Sequence, residues 1–163
     1  MMTYQVKKAV LPELSRIEEI YAYARQFMAD HGNPNQWGKA TPPHEQLVRD
    51  IEERKLHAVC DESGIHGVFY FSIEEDPSYA VIEDGAWRST SPYGVIHRIA
   101  GDGSGGILRA AVAYAEKQIN HLRIDTHRDN YVMQQALAKQ GFEKRGIIHI
   151  ADGSPRIAYD KLT

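Results

Sequence analysis

Between an apolar run ending at Ala100 and a helical pattern beginning at Ile107, the chain reads Gly101-Asp102-Gly103-Ser104-Gly105-Gly106. Four glycines in six residues, set between a strand and a helix, restrict what can form there. Glycine admits positive φ and lets a ligand approach the main chain where a Cβ would stand in the way. The helix after the loop offers unpaired N–H groups and the positive end of its dipole to an anion. The segment is therefore expected to cradle a phosphate. Its spacing also satisfies G-x-G-x-x-G, and Asp125 closes the next apolar run about 20 residues on, where a dinucleotide site places its acid.

The surrounding pattern decides between phosphate-bearing cofactors. Residues 3–10 read as a strand. After Pro12, Leu14, Ile17, Ile20, Tyr21, Ala24, Phe27 and Met28 recur at helical spacing as far as His31-Gly32. Trp37 stands in a turn-rich loop over 33–38, and a short helix with Leu47, Val48 and Ile51 inward starts at Thr41-Pro42-Pro43. Residues 56–60 and 66–73 read as two strands about a turn, with 79–82 a continuation or a separate strand. Residues 93–100 feed the glycine loop, and a helix runs from Ile107. Next come a strand over 121–126 and a helix over 130–140 ended by Gly141. Residues 142–150 and 156–162 close as a hairpin. The predicted order is β-α-α-β-β-β-α-β-α-β-β, mixed α/β with one parallel crossover at the glycine loop. A doubly wound dinucleotide domain needs several further βαβ units. After the 121–126 strand the chain supplies one helix and a hairpin instead. His97 and Arg98 also interrupt a strand that such a sheet would bury on both faces.

The strand Gly94-Val95-Ile96-His97-Arg98-Ile99-Ala100, the glycine loop and the helix from Ile107 resemble the GNAT family of acyl-CoA-dependent N-acetyltransferases. So do the run Leu122-Arg123-Ile124-Asp125-Thr126-His127-Arg128-Asp129-Asn130, then Met133, Leu137 and Gly141-Phe142. The resemblance is specific over residues 93–159 and topological before them. It implies a single domain over 1–163. Its fold would be a mixed, mostly antiparallel sheet with a central parallel βαβ crossover, splayed strands and helices on both faces. It further implies acetyl-CoA as co-substrate. Ile99 and Ala100 would pair with the pantetheine arm, and Gly101, Gly103, Ser104, Gly105 and Gly106 would wrap the pyrophosphate. Asn130 and Met133 would face the pantetheine.

Two departures from the family pattern stand out. Arg98 begins an R-x-x-G-x-G match but lies inside the strand, so main-chain N–H groups are left to carry the pyrophosphate. Leu137 occupies the position, seven residues after Asn130, where many members carry a tyrosine acid.

Amide formation from a thioester needs a neutral amine, stabilisation of the oxyanion and a route for protons. His97 and His127, at strand ends expected to face each other, are the candidate bases, each with a packed structural histidine as the alternative. Trp37, Glu83 and Tyr93 are the candidates for the acceptor pocket, with ordinary core or surface roles as the alternative. None of the eight histidines has metal-ligand spacing, so no metal is expected. Cys60, the one cysteine, has no evident His-Asp partner, which argues against a thiol intermediate and fits a reducing cytoplasm. A net charge of −3 supplies no field for nucleic acid or anionic lipid, and no apolar run reaches membrane-spanning length. Met1-Met2-Thr3-Tyr4-Gln5 lacks an export-signal pattern. The expectation is a cytoplasmic enzyme acetylating a small-molecule or amino-acid-like amine by direct attack, with homodimerisation left open. A non-catalytic acyl-CoA-binding module is the alternative, and a dinucleotide-binding oxidoreductase is third.

Overall fold

The chain runs β1 (Gln5–Lys8), α1 (Leu14–Asp30), α2 (His44–Glu52), β2 (Leu56–Asp61), β3 (Gly64–Ile73) and β4 (Gly94–Gly101). It continues through α3 (Ile107–Glu116), β5 (His121–Thr126), α4 (Tyr131–Lys139), β6 (Glu143–His149) and β7 (Pro155–Leu162). This is a computed structural model that describes residues 3–163. The order is the one the sequence predicts, with a single difference. Residues 79–82 form no strand. Asp76 caps a 3-10 turn at Pro77–Tyr79 by accepting a hydrogen bond from the Ser78 N–H, and the first β pairing beyond the turn is an isolated Glu83–Ile147 bridge. Asp-Pro-Ser is turn chemistry, and it overrides the β-branched residues after it.

Local signals explain the helices. Ile17, Ile20, Tyr21 and Ala24 form the buried stripe of α1. Asn130 caps α4 by accepting the Met133 N–H at 3.0 Å. Gly141, at φ 89°, ends that helix in a left-handed turn, and the Phe142 N–H reaches back to Leu137 O at 3.0 Å.

The seven strands form one sheet in the order β1-β2-β3-β4-β5-β7-β6. Every neighbouring pair is antiparallel except β4 and β5, whose parallel pairing is confined to Gly94–Leu122 and Val95–Arg123. Beyond Val95 the two strands part. Over the same stretch β4 bulges against β3: Tyr70 opposes His97 and Val68 opposes Ala100, so Arg98 and Ile99 share one partner position. Arg98 takes φ 51° there, a left-handed conformation unfavourable for a residue with a side chain. Two contacts hold it. Its guanidinium donates to both oxygens of the buried Asp50 carboxylate, at 2.9 and 3.2 Å, and the Tyr21 hydroxyl donates to its carbonyl at 2.7 Å.

One sheet face, built on Phe69, Phe71, Ile96, Leu122 and Ile124, packs against α3 and Leu137 of α4. The other is divided. Its β2–β3 half lies under α1 and α2, and its β4–β7 half lies under the segment 74–93, where Tyr79 and Tyr93 pack with Ile148 and Ala158. That roof is pinned to β6 by reciprocal Glu83–Ile147 main-chain bonds of 2.8 Å and by Ala86 N–H to Arg145 O at 3.1 Å. Arg88 pins it to β7, donating to Asp160 Oδ1 at 3.0 and 2.6 Å. Gly85 lies so close to β6 that a Cβ would stand 1.8 Å from Arg145 O. Gly85→Ala therefore pushes the roof off β6 and lowers the free energy of unfolding by about 1–3 kcal/mol. Urea denaturation checks this; an unchanged midpoint would mean that the roof is not seated there.

Candidate active site

Two cavities open where β4 and β5 part. The wider, of about 550 Å³, lies beneath the roof; His97 and Arg98 of β4, Asp125 and Thr126 of β5, Arg156 of β7 and Asp76 of the roof are among its walls. The narrower, of about 330 Å³, runs between α1, the glycine loop, α3 and α4, and no charged side chain lines it. Met28, Ile99, Asn130 and Met133 line both, so the cavities meet beside the bulge.

The wide cavity holds a histidine set between two acids. His97 Nε2 lies 2.6 Å from Asp76 Oδ2, and its Nδ1 lies 4.0 Å from Asp125 Oδ2. Burial alone would raise the Asp76 carboxyl, but hydrogen bonds from His97 and Ser78 outweigh it and hold the group below the ordinary carboxylate range. The ionised Asp76 accepts from Nε2–H, and Nδ1 is the ring nitrogen on the Asp125 side. Tyr79 donates to Asp125 at 2.7 Å; burial first, then the charge of Asp125, push its phenol well above the ordinary value, so it remains a donor.

Of the residues singled out from sequence, His97 and Trp37 line the wide cavity, Trp37 packing edge-on against Tyr21 at 5.6 Å. Ile99, Ala100, Gly101, Gly103, Gly105, Asn130 and Met133 line the narrow one, whereas Ser104 and Gly106 do not. Three others stand elsewhere than expected. His127 lines neither cavity; its Nδ1 accepts the Asp129 N–H at 3.0 Å, and burial, then the charge of Arg156, lower its pKa. Glu83 is an exposed roof residue facing His149 at 3.5 Å. Tyr93 is buried behind the cavity, where its hydroxyl accepts the Asp76 N–H at 2.8 Å and so steadies the partner of His97. Asp76, Asp50 and Arg156 carried no local signal, because the register that gathers them is set by distant strand pairing.

In the glycine loop, Gly103, Gly105 and Gly106 all take positive φ. The loop's own acid is neutralised. Asp102 accepts from Ser104 N–H at 3.0 Å and from Arg16 at 2.8 Å, and it lies 2.9 Å from His66 Nδ1. Leu137 is fully buried in the core. Among the described residues, no group of three or more His, Cys, Asp or Glu could hold a metal ion, and no helix is long and apolar enough to cross a membrane.

No family model matches the sequence, and no curated protein matches it. Solved structures do. A GNAT-family acetyltransferase from Streptococcus agalactiae superposes with a TM-score of 0.87 at 25% identity, over 98% of this chain and 95% of that one. The chain has the GNAT acetyltransferase fold. A GNAT-family acetyltransferase from Listeria monocytogenes agrees at a TM-score of 0.70 and 18% identity, over 98% of this chain and 95% of the other. The yncA protein of Salmonella typhimurium, solved with its cofactor acetyl-CoA, matches at 0.62 and 10% identity, over 99% and 94% of the two chains.

In this GNAT fold the glycine loop is tied to β3 through His66, which Asp102 foremost and then Asp61 raise above the ordinary histidine value. A raised folded-state pKa contributes stability below the unfolded value of 6.5, and that contribution is lost as pH rises through the folded value. His66→Gln is thus expected to lower Tm most below pH 6.5, with the deficit shrinking as pH rises through the folded value. Differential scanning calorimetry across that range tests it; a deficit independent of pH would mean that His66 is not charged in the pair.

Proposed function

We propose that this chain transfers an acetyl group from acetyl-CoA to a primary amine of a small-molecule or amino-acid-like acceptor, by direct attack in a ternary complex within one catalytic domain. The observation that carries the reading is the meeting of two cavities of opposite character at the parted strands. An uncharged groove suits a pantetheine arm, and a cavity holding Asp76, Asp125 and His97 suits an amine. The yncA likeness supports acetyl-CoA as the donor.

The chain's residues divide the work. Beyond Val95 the edge of β4 has no β5 partner, so its main-chain groups are open to pair with the arm and to stabilise the oxyanion. Main-chain N–H groups of the glycine loop and the first turn of α3 take the pyrophosphate. An alkylammonium with a pKa of about 10.4 must lose a proton before it can attack. Asp125 draws the ammonium in, His97 Nδ1 takes the proton, and Asp76 stabilises the resulting imidazolium. The nitrogen lone pair then forms the C–N bond at the thioester carbon, and collapse of the tetrahedral adduct breaks the C–S bond as the nitrogen's surplus proton passes to the departing thiolate or to water. A thiol of pKa about 8.5 leaves as thiolate without a strong acid, so Leu137 at the usual tyrosine position does not block the reaction.

Acetyl-CoA and CoA are expected to raise Tm, and NADH is not; stabilisation by NADH alone would sink the reading. Thiol release over a panel of amines separates an enzyme from a binding module, which would bind CoA without turnover. His97→Ala should lower kcat/KM by about 10²–10⁴-fold while the acetyl-CoA thermal shift persists. Full activity in that variant would remove His97 from the proton route.

A further inference from the structure

Arg156 has a different setting from every other buried arginine of the fold. Only two arginines among the described residues are more than nine-tenths buried, Arg123 at 6% exposure and Arg156 at 7%. Arg123 lies between the rings of Trp87 and Tyr93, 4.0 Å from each centroid. Of the less buried arginines, Arg25 reaches only the Thr41 carbonyl, while Arg98 meets Asp50, Arg16 meets Asp102, and Arg88 and Arg145 meet Asp160. Arg156 has neither. Its Nη1 donates to Pro155 O at 2.9 Å and its Nη2 to Gln36 O at 3.5 Å, both neutral main-chain carbonyls. Among the described residues no carboxylate makes an ion pair with it. Asp152 feels its charge but is exposed and accepts from the Ser154 N–H at 2.8 Å.

A guanidinium has five N–H donors in a planar fork that matches a carboxylate. Burying such a charge without a counter-ion is costly, and the cost is recovered when an anion arrives. Arg156 lines the wide cavity and not the narrow groove, so the phosphates of a cofactor in that groove are not its partner. The strand register places it opposite the acids. Asp125 faces Ala158 across β5 and β7, and Arg156 stands two residues further along β7 on the same sheet face. Such diagonal neighbours lie about 7–8 Å apart at Cα. His97 completes the other end, its Nδ1 turned towards Asp125.

We infer that the acceptor is an amino acid or a close relative, a small molecule bearing a carboxylate as well as its amine, and that Arg156 grips the carboxylate while Asp125 and His97 receive the amine. This rests on the acetyl-transfer reading and narrows its acceptor. Arg156 acts as a specificity determinant: a simple amine fills one end of the cavity and leaves the buried guanidinium unpaired.

The test pairs each common amino acid with the amine obtained by removing its carboxylate, for example arginine with agmatine, lysine with cadaverine and tryptophan with tryptamine. Phosphoethanolamine and taurine stand as other anions. Thiol release at saturating acetyl-CoA gives kcat/KM, and calorimetry on the CoA-loaded protein gives Kd. In the best pair the carboxylate member is expected to be favoured by about 10- to 100-fold, the range of a charge-assisted hydrogen bond. Arg156→Gln should bring that ratio close to one, and Arg156→Lys should keep part of it. The inference is overturned if the decarboxylated amines serve as well, if phosphoethanolamine or taurine is preferred, if the ratio survives Arg156→Gln, or if no member of the panel binds. Carboxylate-selective binding lost in Arg156→Gln, but without thiol release, would uphold the inference and remove the catalytic reading. Unselective turnover would do the reverse.

Discussion

Arg98 adopts a left-handed backbone in the middle of a strand, a conformation worth about 1–3 kcal/mol of strain, and the fold keeps it there through the buried Asp50 carboxylate and the Tyr21 hydroxyl. The extra residue turns β4 away from β5 just past their two registered pairs. Were β4 to continue flat, its edge would pair along β5 and the two cavities would close into one sheet. The two N-terminal helices therefore do more than cover the β2–β3 half of the sheet. α1 supplies the hydroxyl and α2 the carboxylate that keep the fork open.

The division of charge results from that fork. On one side lies a groove without a charged side chain, suited to a long, mostly uncharged arm. On the other side, acids and arginines are drawn together from β4, β5, β7 and the roof. The glycine loop lies at the far end of the groove, and its one acid is neutralised by Arg16 and His66. The loop thus meets a phosphate through main-chain N–H groups with little repulsion from its own carboxylate.

Features set by near neighbours were legible in the sequence. The glycine loop, the Asn130 cap, the Gly141 stop and the element order all depend on residues within a turn or two of one another. The features that make the site were less so. His97 and His127 look alike at strand ends, and only the register shows that one faces a cavity while the other accepts a hydrogen bond within its own loop. Asp76 meets its histidine across 21 positions, and Asp50 meets Arg98 across 48. The stretch 79–82 carries strand-like residues, yet the Asp-Pro-Ser turn before it decided the outcome, leaving Val81 71% exposed. Asp125 fitted a ribose-binding position by spacing alone, but the second half of a dinucleotide fold is not there to use it.

The roof over the wide cavity also carries Asp76, the residue that orients His97. Shape and chemistry are therefore inherited together in this protein. An acceptor pocket built from a detachable loop can be exchanged for another while the proton acceptor stays in place. Here a new roof would arrive without the carboxylate that sets the histidine's tautomer, or would have to supply it again at the same point. If the wide cavity takes the acceptor as proposed, divergence towards new acceptors has an easier path through the walls contributed by β7 and the α1–α2 connection, where Arg156 and Trp37 stand, than through the segment overhead.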